Sequence, residues 1–227
     1  MDPWQFARER FDENFQPLRD AGFEIERLAS RDVYFALHKA ELGRYFGPEV
    51  FFDLPGLRSE HEREGQARLG AARNDVALKD FHVVRKGGAL AGMFSGEQKT
   101  DAMYRMWHTN IHPDFRRQGL YRMIVQGSIR YTAALGFDTI TSEHAPCNNA
   151  ILIAKLSAGF RIYSYDMDPM AGPSIVLRYF HNPEHLAAYE YRCGHASLSP
   201  RLCEHGIGAW ELLRSQMLQG AGRPSDG

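Results

Sequence analysis

HPDFRRQGLYR, residues 112–122, decides how the rest of the chain is read. A proline, two adjacent arginines and a glycine give way to apolar residues at helical spacing: Leu120, Ile124, Tyr131 and Leu135, with small Ser128 between them. A helix is expected over 118–135, with Gly136 in the position of a C-cap glycine. Upstream, AMYRMWHTNIH (102–112) reads as a long strand. Regular alternation places Met103, Arg105, Trp107, Thr109 and Ile111 on one face, and Tyr104, Met106, His108, Asn110 and His112 on the other. A strand that ends in a glycine-containing turn and feeds a helix is a physical anion site. The first amides of the helix have no backbone acceptor, and the helix dipole is positive there. Gly119 removes a side chain that would hold a phosphate off the backbone. Arg116 and Arg117 add fixed charge and fork-shaped donors. Together they suit a diphosphate. A plain helix start with two solvated arginines fits the same residues equally well.

Working outward, DFHVVRKGGALAGMFSG (80–96) reads as two strands joined at Gly87-Gly88, a hairpin signal. FDTITSEH (137–144) is a further strand, and NNAILIAKLSA (148–158) a second helix stopped by Gly159. FRIYSYDM (160–167) and SIVLRYF (174–180) complete the pattern as two more strands. From residue 80 the order is strand, strand, strand, helix, strand, helix, strand, strand. That is an α/β (α+β) fold: a mixed, mostly antiparallel sheet covered by helices. Before it, residues 3–20 suit a short helix offering Trp4, Phe6, Phe11 and Phe15 for packing. FEIERLA (23–29) suits a first strand, and Ser30 or Asp32 caps a helix to about Leu42. The expected organisation is an N-terminal helical segment (1–21), a main domain (22–180) and a helical C-terminal extension (181–227). In that extension helices are expected over 183–192 and 207–218, with a disordered end.

The chain has 227 residues and a net charge of −1, with 44% hydrophobic and 24% charged residues. This is a globular balance, and it argues against a nucleic-acid-coating surface, which needs a basic stripe. No apolar run approaches the roughly 20 residues needed to span a bilayer. MDPWQFARERFDENF (1–15) lacks the apolar stretch of a secretory signal. Cys147, Cys193 and Cys203 are too few for a disulfide framework, so a cytoplasmic protein with free thiols is expected.

The turn Arg116-Arg117-Gln118-Gly119-Leu120-Tyr121, the later Asn148, and Gly159-Phe160 eleven residues beyond it resemble the GNAT superfamily of acyl-coenzyme-A-dependent N-acyltransferases. The resemblance covers residues 100–180 and extends by strand order towards residue 22. It implies a GNAT-like sheet in which the amides of residues 117–121 cradle the coenzyme A pyrophosphate. Asn110 and Ile111 would pair with the pantetheine arm like an added strand, and Asn148 would hold the same arm from the second helix. The thioester would lie between the strands ending near Ile111 and Glu143. The family usually has glycine or alanine where this chain has Tyr121, and the Tyr121 amide is expected to face the pyrophosphate regardless. The implied co-substrate is acetyl-CoA or another acyl-CoA, without a metal, and the implied acceptor is an amine, expected to be a small molecule. A homodimer is compatible with the family. A longer acyl group, a non-amine acceptor, or a non-catalytic acyl-CoA-binding protein remain alternatives.

An amine attacking a thioester must first lose a proton, because an alkylammonium titrates near 10.4. Glu143, at the end of its strand, is the first candidate base, and His108 and His144 are the others. Lys155 stands where the family often has a tyrosine that protonates the departing thiolate. A lysine could stabilise the thiolate there, but a solvent-facing lysine is the preferred expectation. Tyr163 or Tyr165 could supply a phenol, though packing against the sheet is preferred for both. Cys193, His195, Cys203 and His205 offer soft ligands, but Cys-x-His is too short for ordinary zinc spacing. His181 and His185 read as features of a helix start. Phe35, Tyr45, Phe46, Phe51 and Phe52 either wall an acceptor pocket or, as preferred, pack in the core.

Overall fold

The computed structural model describes residues 3–46, 58–61, 63–64, 77–168 and 172–194. In chain order the elements are α1 (Pro3–Asp20), β1 (Glu24–Arg27), α2 (Arg31–Glu41), a 3₁₀ turn (Gly43–Tyr45), β2 (Lys79–Lys86), β3 (Ala89–Thr100) and β4 (Met103–Ile111). A second 3₁₀ turn (Pro113–Phe115) leads to α3 (Leu120–Ala134), β5 (Thr139–His144), α4 (Asn149–Ser157), β6 (Arg161–Asp168), β7 (Gly172–Phe180) and α5 (Pro183–Arg192). The order expected from residue 80 is the order found. Seven strands form one sheet, β1-β2-β3-β4-β5-β7-β6. The β1/β2, β2/β3, β3/β4 and β6/β7 pairs are antiparallel, and β4/β5 is parallel.

Local chemistry accounts for these boundaries. Gly87 and Gly88 both adopt positive φ, 57° and 79°, which a two-residue hairpin turn of the right twist demands. Ser30 caps α2 by accepting a hydrogen bond from the Val33 amide. The sheet has an apolar cluster on each side. Towards α1 and α3, Phe11, Phe15, Leu18, Ile124 and Tyr131 pack on Phe94 and Tyr104. Towards α2, Tyr34 and Leu42 pack on Phe81, Val83, Leu90 and Met93. A methyl group on Gly127 would lie 2.8 Å from the Phe15 ring, so the bare backbone lets α1 lie close on α3.

The chain divides into two compact units, Met1–Tyr179 and Phe180–Gly227. Helix α1, expected as a segment of its own, lies in the first unit and is part of its core. In the second unit α5 begins at Pro183, capped by Asn182, which accepts from the Glu184 amide at 2.8 Å. Cys193 is an exposed free thiol, whereas His195, Cys203, His205 and the helix expected over 207–218 lie outside the described residues, as do Phe51 and Phe52. Among the described residues no helix is long and apolar enough to cross a membrane, and no cluster of His, Cys, Asp and Glu is arranged to hold a metal.

Two expectations are corrected. Tyr163 and Tyr165 do not pack into the sheet: they lie on the terminal strand β6, 42% and 60% exposed, with the Arg178 guanidinium over the Tyr163 ring. The alternation along β4 also fails. Ser95 pairs with His108 and Gly96 with Met106, leaving Trp107 as the extra residue of a β-bulge. Beyond the bulge the faces exchange. His108 and Asn110 join Trp107 on the α2 side, where they meet Tyr34, Phe35 and His38. Ile111 instead joins Tyr104 and Met106 against the other core.

Candidate functional site

The parallel ladder between β4 and β5 is three residues long, Met103–Arg105 against Thr139–Thr141. Past it the strands separate. On one side β4 remains held by β3, with Asn110 opposite Met93 and Ile111 opposite Gly92. On the other side, Met106–Ile111 have no strand partner among the described residues. The backbone of β4 therefore presents an edge of N–H and C=O groups into a wedge between two strands.

The arginine–glycine turn lies at the end of that edge. Arg116 N–H donates to the Pro113 carbonyl at 3.1 Å, and its Nε donates to the Ile111 carbonyl at 3.3 Å. This folds the Arg116 side chain back on the strand, its guanidinium also lying over the Phe46 ring. Arg117 has φ 61°, the one non-glycine residue with positive φ among those described, and such a conformation costs on the order of 1 kcal/mol. Gly119, at φ 80°, is the N-cap of α3 and supplies no side-chain acceptor for the first amides of the helix. A Cβ built on Gly119 would meet no heavy atom within 4 Å, so the space over the turn is open. Gln118 Nε2 donates to the Asp114 carbonyl at 2.9 Å, and Leu120 is buried beneath. Tyr121 packs against the core, where burial pushes its phenol above the ordinary range. Alternating left-handed residues with uncapped helix amides make a concavity suited to phosphate oxygens.

Across the wedge, Asn148 caps α4, its Oδ1 accepting from the Ile151 amide at 3.4 Å. Lys155 is not the solvent-facing lysine expected: it is 1% exposed. Its Nζ lies 2.9 Å from Met106 Sδ and 4.3 Å from the Phe160 ring centre, and burial lowers its pKa to about 7. The final residues of β5 point to opposite sides. Glu143 accepts from Arg105 Nη2 at 2.7 Å and lies 3.8 Å from Lys99 Nζ. His144 Nε2 is 3.1 Å from Ser142 Oγ, and burial, with Lys155 as a smaller cause, lowers its pKa to about 4.

The bulge assembles a polar cluster on the α2 side. His108 Nδ1 is 2.9 Å from Tyr34 Oη, and its Nε2 is 2.6 Å from Asn110 Nδ2, which is also 2.8 Å from His38 Nε2. Burial, and then His38, lowers the His108 pKa to about 4, so the imidazole is neutral at pH 7. Tyr34 and His38 were not singled out from the sequence. Their i, i+4 spacing on a capped helix is the signal that would have found them. Phe35 packs on Trp107 and His108 and Phe46 on His38, so both border this cluster, while Tyr45 packs on His112.

No family model and no curated protein matches the chain. Solved structures do. An acetyltransferase of the GNAT family from Desulfovibrio desulfuricans is 14% identical at TM-score 0.49, covering 70% of this chain and 98% of that one. Ard1 from Thermoplasma volcanium is 11% identical at TM-score 0.49, covering 70% and 97%. A GNAT-family acetyltransferase from Elizabethkingia anophelis, with acetyl-CoA bound, is 9% identical at TM-score 0.46, covering 70% and 98%.

Proposed function

We propose that this chain is an acyl-CoA-dependent N-acyltransferase, with acetyl-CoA as donor and a small-molecule amine as acceptor. The observation that carries the reading is the unpaired edge of β4, running from the end of the three-residue β4/β5 ladder to the open turn at Arg117 and Gly119. A pantetheine arm is a chain of amides, and it adds to such an edge as a strand would, at Asn110 and Ile111. The pyrophosphate then reaches the amides of residues 117–121, with Arg117 beside it, and Asn148 faces the arm from α4.

The acceptor must lose a proton before it attacks. At pH 7 an amine of pKa about 10.4 is roughly 0.04% neutral, so a base and a desolvating surface both contribute. Among the three candidates His108 is the best supported. It is neutral, and its ring is held from both sides, by Asn110 Nδ2 at 2.6 Å from Nε2 and by Tyr34 Oη at 2.9 Å from Nδ1. Glu143 is already engaged by Arg105 and Lys99 and would have to leave that ion pair to serve as base. The amine nitrogen bonds to the thioester carbon, and the C–S electron pair leaves on sulfur. Positioning the amine against the thioester supplies much of the acceleration.

Calorimetric titration with coenzyme A and acetyl-CoA tests the reading. Both are expected to bind, and Gly119→Glu, which places a bulky anion in the turn, is expected to weaken binding at least about a hundredfold, roughly 2.7 kcal/mol, without loss of the folded circular-dichroism spectrum. Unchanged affinity in that variant sinks the assignment. Acetyl transfer across a panel of amines, lost in His108→Ala and kept in Glu143→Gln, distinguishes an enzyme from a non-catalytic acyl-CoA binder.

A further inference from the structure

We propose that the cavity at Trp107 receives the acceptor and selects amines that also carry a carboxylate, an inference that rests on the acyltransferase reading above. On the α2 side of the sheet, residues of β1, β2, β3, β4 and the start of α2 line a cavity of about 530 Å³. Small-molecule sites ordinarily run from roughly 300 to 1,000 Å³. Phe81 and Trp107 give this one its aromatic surface. Arg27, Arg31 and Lys79 supply three cations, against the single carboxylate of Glu97 among the described residues.

The charges do not cancel inside the cavity. Glu97 Oε1 lies 3.9 Å from Arg105 Nη1, so the one carboxylate already has a cation of its own, outside the lining. Arg31 is held differently. Among the described residues it makes no ion pair, and its guanidinium lies over two rings, 4.4 Å from the centre of Trp107 and 5.6 Å from that of Phe35. Stacking occupies the face of a guanidinium and leaves the N–H groups around its edge, the fork that fits a carboxylate. Arg27 Nη2 donates to the Lys79 carbonyl at 2.9 Å, which keeps a second guanidinium beside that lysine. A carboxylate entering here meets a pre-oriented arginine and two further cations. A second ammonium on the acceptor meets like charge instead.

The cavity meets the reaction at the bulge of β4. Trp107 is the inserted residue. Met106 before it is the first residue of β4 beyond the β4/β5 ladder, and His108 after it is the proposed base. Phe35 joins the two, its ring centre 5.6 Å from Trp107 and 5.8 Å from His108. An acceptor whose carboxylate is held by Arg31 and whose body lies on Trp107 therefore has its amine at the end of the cavity where β4 leaves β5. The bond changes are those of the acyl transfer already described: N–C forms and C–S breaks. The carboxylate takes no part in them and acts by anchoring the acceptor, so its removal is felt mainly in KM.

Matched pairs of amines test the selection. Glycine, β-alanine, phenylalanine and tryptophan are each compared with their carboxamides, and with spermidine as a polycation, by coenzyme A release from acetyl-CoA. The full-length wild type, Arg31→Met and Lys79→Met are used. At least one amino acid is expected to exceed its carboxamide about tenfold or more in kcat/KM, the effect of a hydrogen bond to a charged group. Arg31→Met keeps an unbranched stem beside Trp107 and removes the charge. It is expected to cut that ratio to below about threefold, the residue left by exposed charges, by raising the KM for the amino acid with the KM for acetyl-CoA unchanged. Lys79→Met reads the same way if Arg31→Met loses its folded circular-dichroism spectrum. Carboxamides or spermidine that serve as well as the amino acids overturn the inference and leave the transferase standing. A preference that survives in both variants does the same, as does coenzyme A binding without transfer to any amino acid of the panel. Failure of the wild type to bind coenzyme A overturns both readings.

Discussion

Lys155 carries a stability cost that is measurable apart from any activity. Its folded pKa is depressed from 10.5 to about 7. Between those values the unfolded chain binds a proton that the folded chain does not, so stability rises with pH across that window. Below pH 7 the whole penalty is present, and above about 10.5 it vanishes. Taking an ion out of water costs several kcal/mol, and an apolar side chain of similar volume does not carry that cost. Lys155→Met is therefore expected to raise the unfolding free energy by about 2–4 kcal/mol at pH 6 and by much less at pH 10. Urea titrations at the two pH values check this, and an equal gain at both contradicts the assigned burial. The lysine's position was legible from its spacing after Asn148, but its burial was not. A lysine in a short helix is ordinarily solvated, and only the tertiary course of α4 shows that Ile153 and Leu156 took the solvent side.

The strand β4 shows the limit of pattern reading more sharply. Period-two alternation identified the strand and its ends to within a residue, yet it assigned His108, Asn110 and Ile111 to the wrong faces. One extra residue, Trp107, exchanges the faces of everything after it, and nothing in MYRMWHTNI announces the insertion. That exchange creates the cluster with Tyr34 and His38. Tyr34→Phe removes the phenol that meets His108 Nδ1 and is expected to cost about 1 kcal/mol of stability. On the proposed function, the same change should lower acetyl-transfer kcat more than it alters the KM for acetyl-CoA, because the phenol meets the proposed base His108. A kcat and a KM altered to the same extent would show that Tyr34 does not position His108 for the reaction. The contact of α1 with α3 is a structural counterpart. Gly127→Ala drives a methyl against the Phe15 ring and is expected to lose about 1–3 kcal/mol by overpacking, while coenzyme affinity is unchanged. Ser128 stood out in the sequence as the small residue of this helix, whereas Gly127 did not, and its partner Phe15 lies more than a hundred residues earlier.

The order of elements from residue 80 onward was readable because each element is specified locally, by alternation, caps and glycine stops, and the strand connections follow from short loops. Protonation behaviour is set by long-range packing and was hidden. Burial lowers the pKa of His82 to about 3 and of His108 and His144 to about 4. Asp80 moves the other way: its buried carboxyl, which accepts from Tyr104 and Tyr131, is raised by desolvation. Near pH 5 the unfolded chain carries protons on all three histidines, near their ordinary value of 6.5, and the folded chain carries almost none. The folded chain holds at most one extra proton on Asp80, and Lys155 is protonated in both states. Unfolding at pH 5 is thus expected to take up about two protons, so stability falls by about 2–3 kcal/mol per unit as pH drops through about 5, and less steeply near 6.5 and near 4. Chemical denaturation at pH 7, 6 and 5 with a common denaturant measures that slope directly. His82→Phe, which keeps a stacked ring between Phe11 and Phe94, removes one of the three histidines and should flatten the slope by about 1.4 kcal/mol per pH unit. A slope that stays the same in this variant shows that His82 takes up no proton on unfolding, and a flat profile in the wild type shows that the three imidazoles titrate alike in both states.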